Sequence, residues 1–96
     1  MTPPEVLTGE AVDAALADRS LQWQREGDEL VRTVKRKDFA GALAYVNAVG
    51  ERAEAAGHHP DIDIRWNTVT LRLSTHSAGG LTEADLSLAA QIDGLG

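Results

Sequence analysis

Hydrophobic residues recur at the spacing of an α-helix in three parts of the chain. Each part begins after a residue that can cap a helix N-terminus, namely Thr8, Asp38 or Thr82. In the first part, Val12, Ala15 and Leu16 share a face. In the second part, Phe39, Leu43 and Val46 share a face, and Ala42, Tyr45 and Val49 lie beside it. In the third part, Leu88 and Ile92 share a face. We therefore predict three helices, and the second should end at Gly57, because glycine readily adopts a left-handed conformation.

The segments between these helices alternate between hydrophobic and polar residues with the period of a β-strand. Leu21–Lys35 has turn-forming residues at 26–28, which predicts a hairpin. In Ile62–Thr75, one face carries Val69, Leu71 and Leu73, whereas the other carries Thr70, Arg72 and Ser74. His76 continues the polar set, so we expect it toward the uncovered face of the sheet.

The predicted order is helix, two strands, helix, two strands, helix. Strands that occur in pairs favour an antiparallel sheet, and therefore an α+β fold in which helices cover one face of that sheet. No internal repeat or long linker divides the 96 residues. We expect a single domain, 1–96, with residues 1–7 as a loose N-terminal arm.

The composition limits the possible functions. The formal net charge of −6 argues against binding to nucleic acid or to an anionic membrane surface. The chain has no cysteine, which excludes disulfides, thiolate nucleophiles and cysteine-ligated zinc. It has no apolar run of membrane length and no start typical of a signal peptide, so we expect a cytoplasmic protein. Its small size favours a homo-oligomer.

Three histidines are the main candidates for chemistry: His58 and His59 on the loop after the second helix, and His76 just beyond a strand. Histidine gives and takes protons near neutral pH because its unperturbed pKa is ~6.5. Two histidines on opposite sides of a substrate could protonate a leaving group and accept another proton. They could equally be surface residues. With Asp61 or Asp63 they could also bind zinc, although their spacing is not that of the usual ligand pairs.

A set of motifs follows in order from the second helix to the third. They are Glu54-Ala55-Ala56-Gly57-His58-His59-Pro60-Asp61, Trp66-Asn67-Thr68-Val69, Leu73-Ser74-Thr75-His76, Gly80-Leu81-Thr82 and Asp85, with Trp23 and Lys37-Asp38-Phe39 upstream. This ordered set resembles the pterin-4a-carbinolamine dehydratase family over about Leu21 to Ile92. Asp85 also has a purely structural interpretation, because it stands where the third residue of a capping box would be.

The resemblance implies a four-stranded antiparallel sheet with three helices packed on one face, in the order α-β-β-α-β-β-α, assembled as a homodimer or homotetramer. It implies a hydro-lyase that dehydrates 4a-hydroxytetrahydrobiopterin to quinonoid dihydropterin with no metal and no organic cofactor. The implied catalytic residues are His58, His59 and His76, with His58 and His76 as the acid–base pair. The implied substrate-binding residues are Gly57, Pro60, Ser74, Thr75 and Ser77, and the supporting residues are Glu54 and Asp85.

Two positions depart from the pattern of animal members of the family. Gly57 stands where they often have an acidic residue, and Ile62 where they often have an aromatic one. Some relatives with this fold act as partners of transcription factors or as assembly factors, so a non-catalytic interaction module is the alternative function. Such a module has no need of all three histidines, and their presence here favours the enzyme.

Overall fold

The computed structural model describes residues 5–95 and has the predicted order of three helices and four strands. The elements are α1 (Gly9–Asp18), β1 (Gln24–Glu26), β2 (Glu29–Lys35), α2 (Phe39–Ala56), β3 (Asp61–Arg65), β4 (Thr68–Leu73) and α3 (Glu83–Asp93). The three helices begin after the predicted caps Thr8, Asp38 and Thr82. At each cap, a side-chain oxygen accepts a hydrogen bond from a backbone N–H of the first turn, which typically stabilises a helix by ~1 kcal/mol.

The strands form one antiparallel sheet in the order β1-β2-β4-β3. The register pairs Leu30 with Leu73 and Val34 with Val69, so these apolar side chains share the face that the helices cover. The α+β fold class with a four-stranded antiparallel sheet is therefore confirmed. Within the described chain, no helix combines the length and the hydropathy that crossing a bilayer requires.

The sheet topology brings two loops to the same end of the sheet. Strand β3 begins at Asp61, directly after the loop 57–60, and Asp61 pairs with Arg72 near the end of β4. Because β3 and β4 are antiparallel, the segment before β3 and the segment after β4 lie side by side. The first segment carries His58 and His59, and the second carries Thr75 and His76.

The buried face of α2 differs from the stripe that the apolar spacing first indicates. Ala42, Tyr45, Val49 and Ala53 are buried, whereas Phe39 and Leu43 are 46% and 41% exposed. The neighbouring stripe therefore contacts the sheet and α3. Both stripes are apolar, so periodicity alone does not distinguish the one that packs from the one that remains at the surface.

The hairpin predicted for Leu21–Lys35 has a shorter first strand than its sequence pattern indicates. Strand β1 starts only at Gln24, and Trp23 before it lies in the core. The indole N–H of Trp23 donates to Asp93 Oδ1 at 2.9 Å, and Arg32 forms an ion pair with the same oxygen at 2.5 Å. These contacts attach the C-terminal end of α3 to the start of the sheet.

The N-terminal arm is attached to the domain at its last residue. Leu7 packs against the core, and its backbone N–H donates to the carbonyl oxygen of Leu81 at 2.8 Å. Residues 1–4 of the predicted loose arm lie outside the described residues.

Tyr45 provides a test of the core, because it is the only tyrosine of the chain. Its buried hydroxyl has no hydrogen-bond partner among the described residues, and burial raises the pKa of the phenol above its ordinary value. In the unfolded chain the phenol ionises at about pH 10. Below about pH 10 the phenol is neutral in both states, so its contribution to the free energy of unfolding is fully present. That contribution is lost as the pH rises through the higher folded-state pKa, because the unfolded chain ionises first.

We expect an ultraviolet titration of tyrosinate to have a higher midpoint in the folded protein than in urea. Tyr45→Phe should abolish the signal without destabilising the fold, because it removes an unpartnered hydroxyl. Equal midpoints in the folded and the unfolded chain would contradict the buried environment of Tyr45.

Candidate active site

The end of α2 determines where the first two histidines lie. Gly57 adopts the left-handed conformation, with φ of 63°, and the backbone N–H of His58 donates to the carbonyl oxygen of Ala53 at 3.1 Å. This is the arrangement in which glycine usually terminates a helix. Pro60 follows and cannot continue the helix. The loop is therefore held at its start by a helix cap, and it leads directly into β3.

Asp85 lies at the centre of the candidate site. Its carboxylate is fully buried and contacts three donors: His58 Nε2 at 2.5 Å, Thr75 Oγ1 at 2.7 Å and the backbone N–H of Thr82 at 2.9 Å. The last contact completes the predicted capping box at the start of α3. One oxygen of Asp85 therefore caps the helix, while the other contacts His58.

These contacts determine which nitrogen of His58 carries a hydrogen. An ionised carboxylate only accepts hydrogen bonds, so Nε2 of His58 donates to Asp85 Oδ1. In the neutral ring, the remaining nitrogen, Nδ1, then has a free lone pair, and it has no hydrogen bond with residues 5–95. The His58 side chain is 17% exposed, so the ring lies at the boundary between the core and the surface.

Two buried threonine hydroxyls lie behind Asp85. Thr75 Oγ1 donates its single hydrogen to Asp85, so the 2.8 Å contact between the two hydroxyls is a donation from Thr82 to Thr75. Thr82 Oγ1 in turn accepts from the backbone N–H of Ala84 at 3.2 Å. Thr75 and Thr82 are 7% and 2% exposed. The substrate contact predicted for Thr75 stays a prediction, and its hydroxyl already has a partner in the core.

His59 contacts a different carboxylate. Its Nε2 lies 2.6 Å from Oε1 of Glu54, which is two residues before the end of α2, and both side chains are exposed. Glu54 thus contacts the ring of His59, whereas Asp85 contacts the ring of His58, and the supporting roles expected of both carboxylates stay predictions. A contact between two exposed side chains of this kind contributes little to stability.

His76 lies on the turn that follows β4. Thr75 and Gly80 form an isolated β-bridge that closes this turn, and Thr75 is buried whereas His76 is exposed. This alternation agrees with the expectation that His76 lies on the polar side. With Ser74 and Gly79, His76 lines a shallow cavity of about 290 Å³ that also includes Asp28 and Glu29. Ser77 is exposed on the same turn.

The predicted residues thus fall into two hydrogen-bonded groups and one turn. His58, Asp85 and Thr75 form the first group, His59 and Glu54 form the second, and Thr75 connects the first group covalently to His76. Trp66, although part of the quoted motifs, lies in the β3–β4 turn at the opposite end of β4. No cluster of three or more histidine or carboxylate side chains within residues 5–95 is arranged to hold a metal ion.

The sequence pattern of the family described as "Pterin 4 alpha carbinolamine dehydratase" matches residues 5–95. The chain belongs to this dehydratase family. A relative in Nocardia farcinica, provisionally named pterin-4-alpha-carbinolamine dehydratase, is 58% identical over 91 residues and is covered over 95% of both chains. A Roseiflexus castenholzii protein with the same provisional name is 61% identical over 71 residues, which are 74% of this chain and 76% of the relative.

Two solved structures in the dehydratase group resemble this one. A protein from Brucella melitensis, described as a transcriptional coactivator/pterin dehydratase, superposes with a TM-score of 0.86 at 32% identity, covering 95% of this chain and 98% of the other. A pterin dehydratase-like protein, described as a RuBisCO assembly factor in the α-carboxysome, has a TM-score of 0.62 at 25% identity, covering 78% and 87%.

Thr82, at the centre of the candidate site, was predicted only as a helix cap. Thr82 caps α3, but its hydroxyl also donates to Thr75 on the turn after β4. A capping residue is recognised from its immediate neighbours, whereas this second contact joins residues 75 and 82 across a turn. The Gly80-Leu81-Thr82 motif was the only sequence signal that related Thr82 to the histidines.

Proposed function

We propose that this protein is a hydro-lyase that dehydrates 4a-hydroxytetrahydrobiopterin to quinonoid dihydropterin, in the cytoplasm, as a step of tetrahydrobiopterin recycling. The observation that carries the proposal is the 2.5 Å contact between His58 Nε2 and the buried Asp85 carboxylate. In a chain of the dehydratase family, this contact turns a loop histidine into an oriented proton-transfer group. The second oxygen of the Asp85 carboxylate accepts a hydrogen bond from Thr75, the residue directly before His76.

The reaction needs proton transfer at two positions of the substrate. The C4a–O bond breaks, and the departing oxygen takes a proton and leaves as water, because hydroxide is a poor leaving group at neutral pH. The N5–H bond gives up its proton, and its electron pair forms the N5–C4a double bond. The two transfers cancel, so the elimination requires no oxidant, reductant or organic cofactor.

We assign the acid–base pair to His58 and His76. Both lie at the end of the sheet where the loop 57–60 and the turn after β4 meet. Either histidine can act as the acid, depending on the pterin face that carries the hydroxyl. His59, oriented by Glu54, binds the substrate, while Gly57 and Pro60 shape the loop. The backbone of residues 74–77 bonds the flat edge of the pterin.

A direct test follows the decay of freshly generated 4a-hydroxytetrahydropterin by ultraviolet absorbance, in metal-free buffer that contains a chelator. We expect the protein to accelerate this decay well above the spontaneous rate. We expect His76→Ala to be at least about tenfold slower than wild type, since a positioned acid–base group typically contributes ~10²–10⁴-fold.

The result separates three interpretations of the histidines. Acceleration that persists in the chelator supports proton transfer by histidine. Acceleration that disappears with the chelator and returns with added zinc would support a metal site instead. A folded protein that never exceeds the spontaneous rate is not a dehydratase.

The second candidate function is a non-catalytic assembly or interaction module. It is favoured by the structural likeness to the protein described as a RuBisCO assembly factor. The test above distinguishes the two functions, because an interaction module needs no turnover and tolerates the loss of His58 and His76. The hydrogen-bonded placement of His58 against a buried carboxylate supports the enzyme over the module.

We also propose that the protein forms a homodimer or homotetramer. Strand β3 forms one edge of the sheet, and Ile62 on it is 38% exposed. On α2, Phe39 and Leu43 are also exposed. A domain of this size buries a limited core of its own, so association of such apolar surface adds stability.

A further inference from the structure

The hydroxyl groups of Thr75 and Thr82 have a single consistent direction of donation. Thr82 donates to Thr75 at 2.8 Å, Thr75 donates to Asp85 at 2.7 Å, and Asp85 accepts from His58 at 2.5 Å. Each hydroxyl has only one hydrogen, so no other arrangement satisfies all three contacts around an ionised carboxylate. The four groups form one chain that starts at the cap of α3 and ends at the imidazole of His58.

The chain lies almost entirely inside the protein. Asp85 is fully buried, and Thr75 and Thr82 are 7% and 2% exposed. The only member that reaches the surface is His58, with a side chain that is 17% exposed. Hydrogen bonds of buried groups are not exchanged for bonds to water, so they hold their partners in one orientation.

The threonines restrict how the Asp85 carboxylate can rotate. Its Oδ2 accepts from both Thr75 Oγ1 and the Thr82 backbone N–H, which leaves Oδ1 directed at His58. Without the Thr75 hydroxyl, a single backbone donor would hold Oδ2. The carboxylate could then turn about its terminal bond, because torsions of this kind are broad.

We propose that Thr75 and Thr82 are positioning residues that act on His58 through Asp85. They hold Nε2–H of His58 on the carboxylate, so that Nδ1 is the nitrogen that exchanges a proton with the substrate. This assignment holds whether His58 acts as the acid or as the base, because in both cases Nε2–H stays on Asp85. The catalytic part of the inference rests on the proposed dehydratase function.

The test uses three substitutions at two positions. Thr75→Val keeps the shape and removes the hydroxyl, and Thr75→Ser keeps the hydroxyl. Thr70→Val is the matched control, since it removes the 3.3 Å hydroxyl contact with Thr33 on the open face of the sheet. Should Thr75→Val fail to fold, Thr75→Cys takes its place, because a thiol is a weaker donor of similar size.

Two measurements are made on each variant. Nitrogen-15 NMR of the imidazole rings gives the tautomer of His58, and the spectrum of His58→Ala identifies its signals. Steady-state dehydration of 4a-hydroxytetrahydropterin gives kcat and KM separately. We expect wild type, Thr75→Ser and Thr70→Val to hold His58 as a single Nε2–H tautomer.

We expect Thr75→Val to give a mixture of tautomers and a kcat about tenfold lower with little change in KM, which is the effect of losing one hydrogen bond to a charged group. An unchanged tautomer and kcat would overturn the inference. So would a change confined to KM, because that would make Thr75 a direct contact of the substrate.

The failure of the inference can be distinguished from the failure of the proposed function. If wild type accelerates dehydration and Thr75→Val leaves the tautomer unchanged, the function stands and the positioning role falls. If wild type has no turnover but Thr75→Val still alters the tautomer, the dehydratase proposal falls and the positioning of His58 stands.

Discussion

His58→Ala is expected to lower the dehydration rate by roughly 10²- to 10⁴-fold, the usual contribution of a positioned acid–base group. The imidazole of His58 is held in place by Asp85, and it is also one of the two groups that we assign to proton transfer. Its Nε2 is bonded to the buried Asp85, while Nδ1 has no partner among the described residues. Removing the ring leaves the carboxylate without one of its three donors and, in the proposed mechanism, leaves the substrate without one of two proton-transfer groups.

The loss should appear in kcat, because proton transfer stabilises the transition state and does little for binding of the substrate. His59→Ala provides the comparison. Its exposed ring contacts the exposed Glu54, and we expect its loss to raise KM more than it lowers kcat. The measurement is steady-state turnover. It is made on variants whose circular dichroism spectra match that of wild type, which shows that they are folded. A folded His58→Ala protein with wild-type kcat would refute the assignment of His58.

Asp85→Asn is expected to have the largest effect on stability, with a loss of about 3 kcal/mol in the free energy of unfolding. Asp85 accepts hydrogen bonds from His58, Thr75 and the Thr82 backbone. An amide is a neutral acceptor with one accepting oxygen, so the charge-assisted bonds are lost, and the NH₂ group keeps a partner only if His58 moves its hydrogen to Nδ1 and accepts through Nε2. A domain of this size has only ~5–15 kcal/mol in total, so the loss is a large share.

Asp13→Asn is the matched control for this prediction, because it makes the same chemical change at the surface. Asp13 forms an ion pair with Arg25, and the Arg25 hydrogen bond lowers the pKa of the Asp13 carboxyl. Exposed pairs of this kind contribute little to stability. Urea denaturation should show a marked loss for Asp85→Asn and a small change for Asp13→Asn. Equal losses would mean that the Asp85 network does not stabilise the fold.

The positions of the helices and strands could be predicted from the sequence because the signals that determine them are local. The caps Thr8, Asp38 and Thr82 each bond to a backbone N–H within three residues, and Gly57 terminates α2 through its own φ angle. The strand pattern of β4 likewise depends on neighbouring residues. Local periodicity did not identify the buried stripe of α2, because Phe39 and Leu43 are as apolar as the residues that pack.

The sequence by itself determined which residue types are available for chemistry, namely three histidines and no cysteine, and the ordered motifs that place the chain in its family. Only the tertiary structure decided which carboxylate each histidine contacts. Glu54 is close in sequence to both His58 and His59 but contacts His59, whereas Asp85, 27 residues away, contacts His58. The physical reason is that pairing of β3 with β4 and docking of α3 bring the loop, the turn and the helix cap together. These long-range contacts form when apolar surface is buried, and the local spacing of polar residues does not encode them.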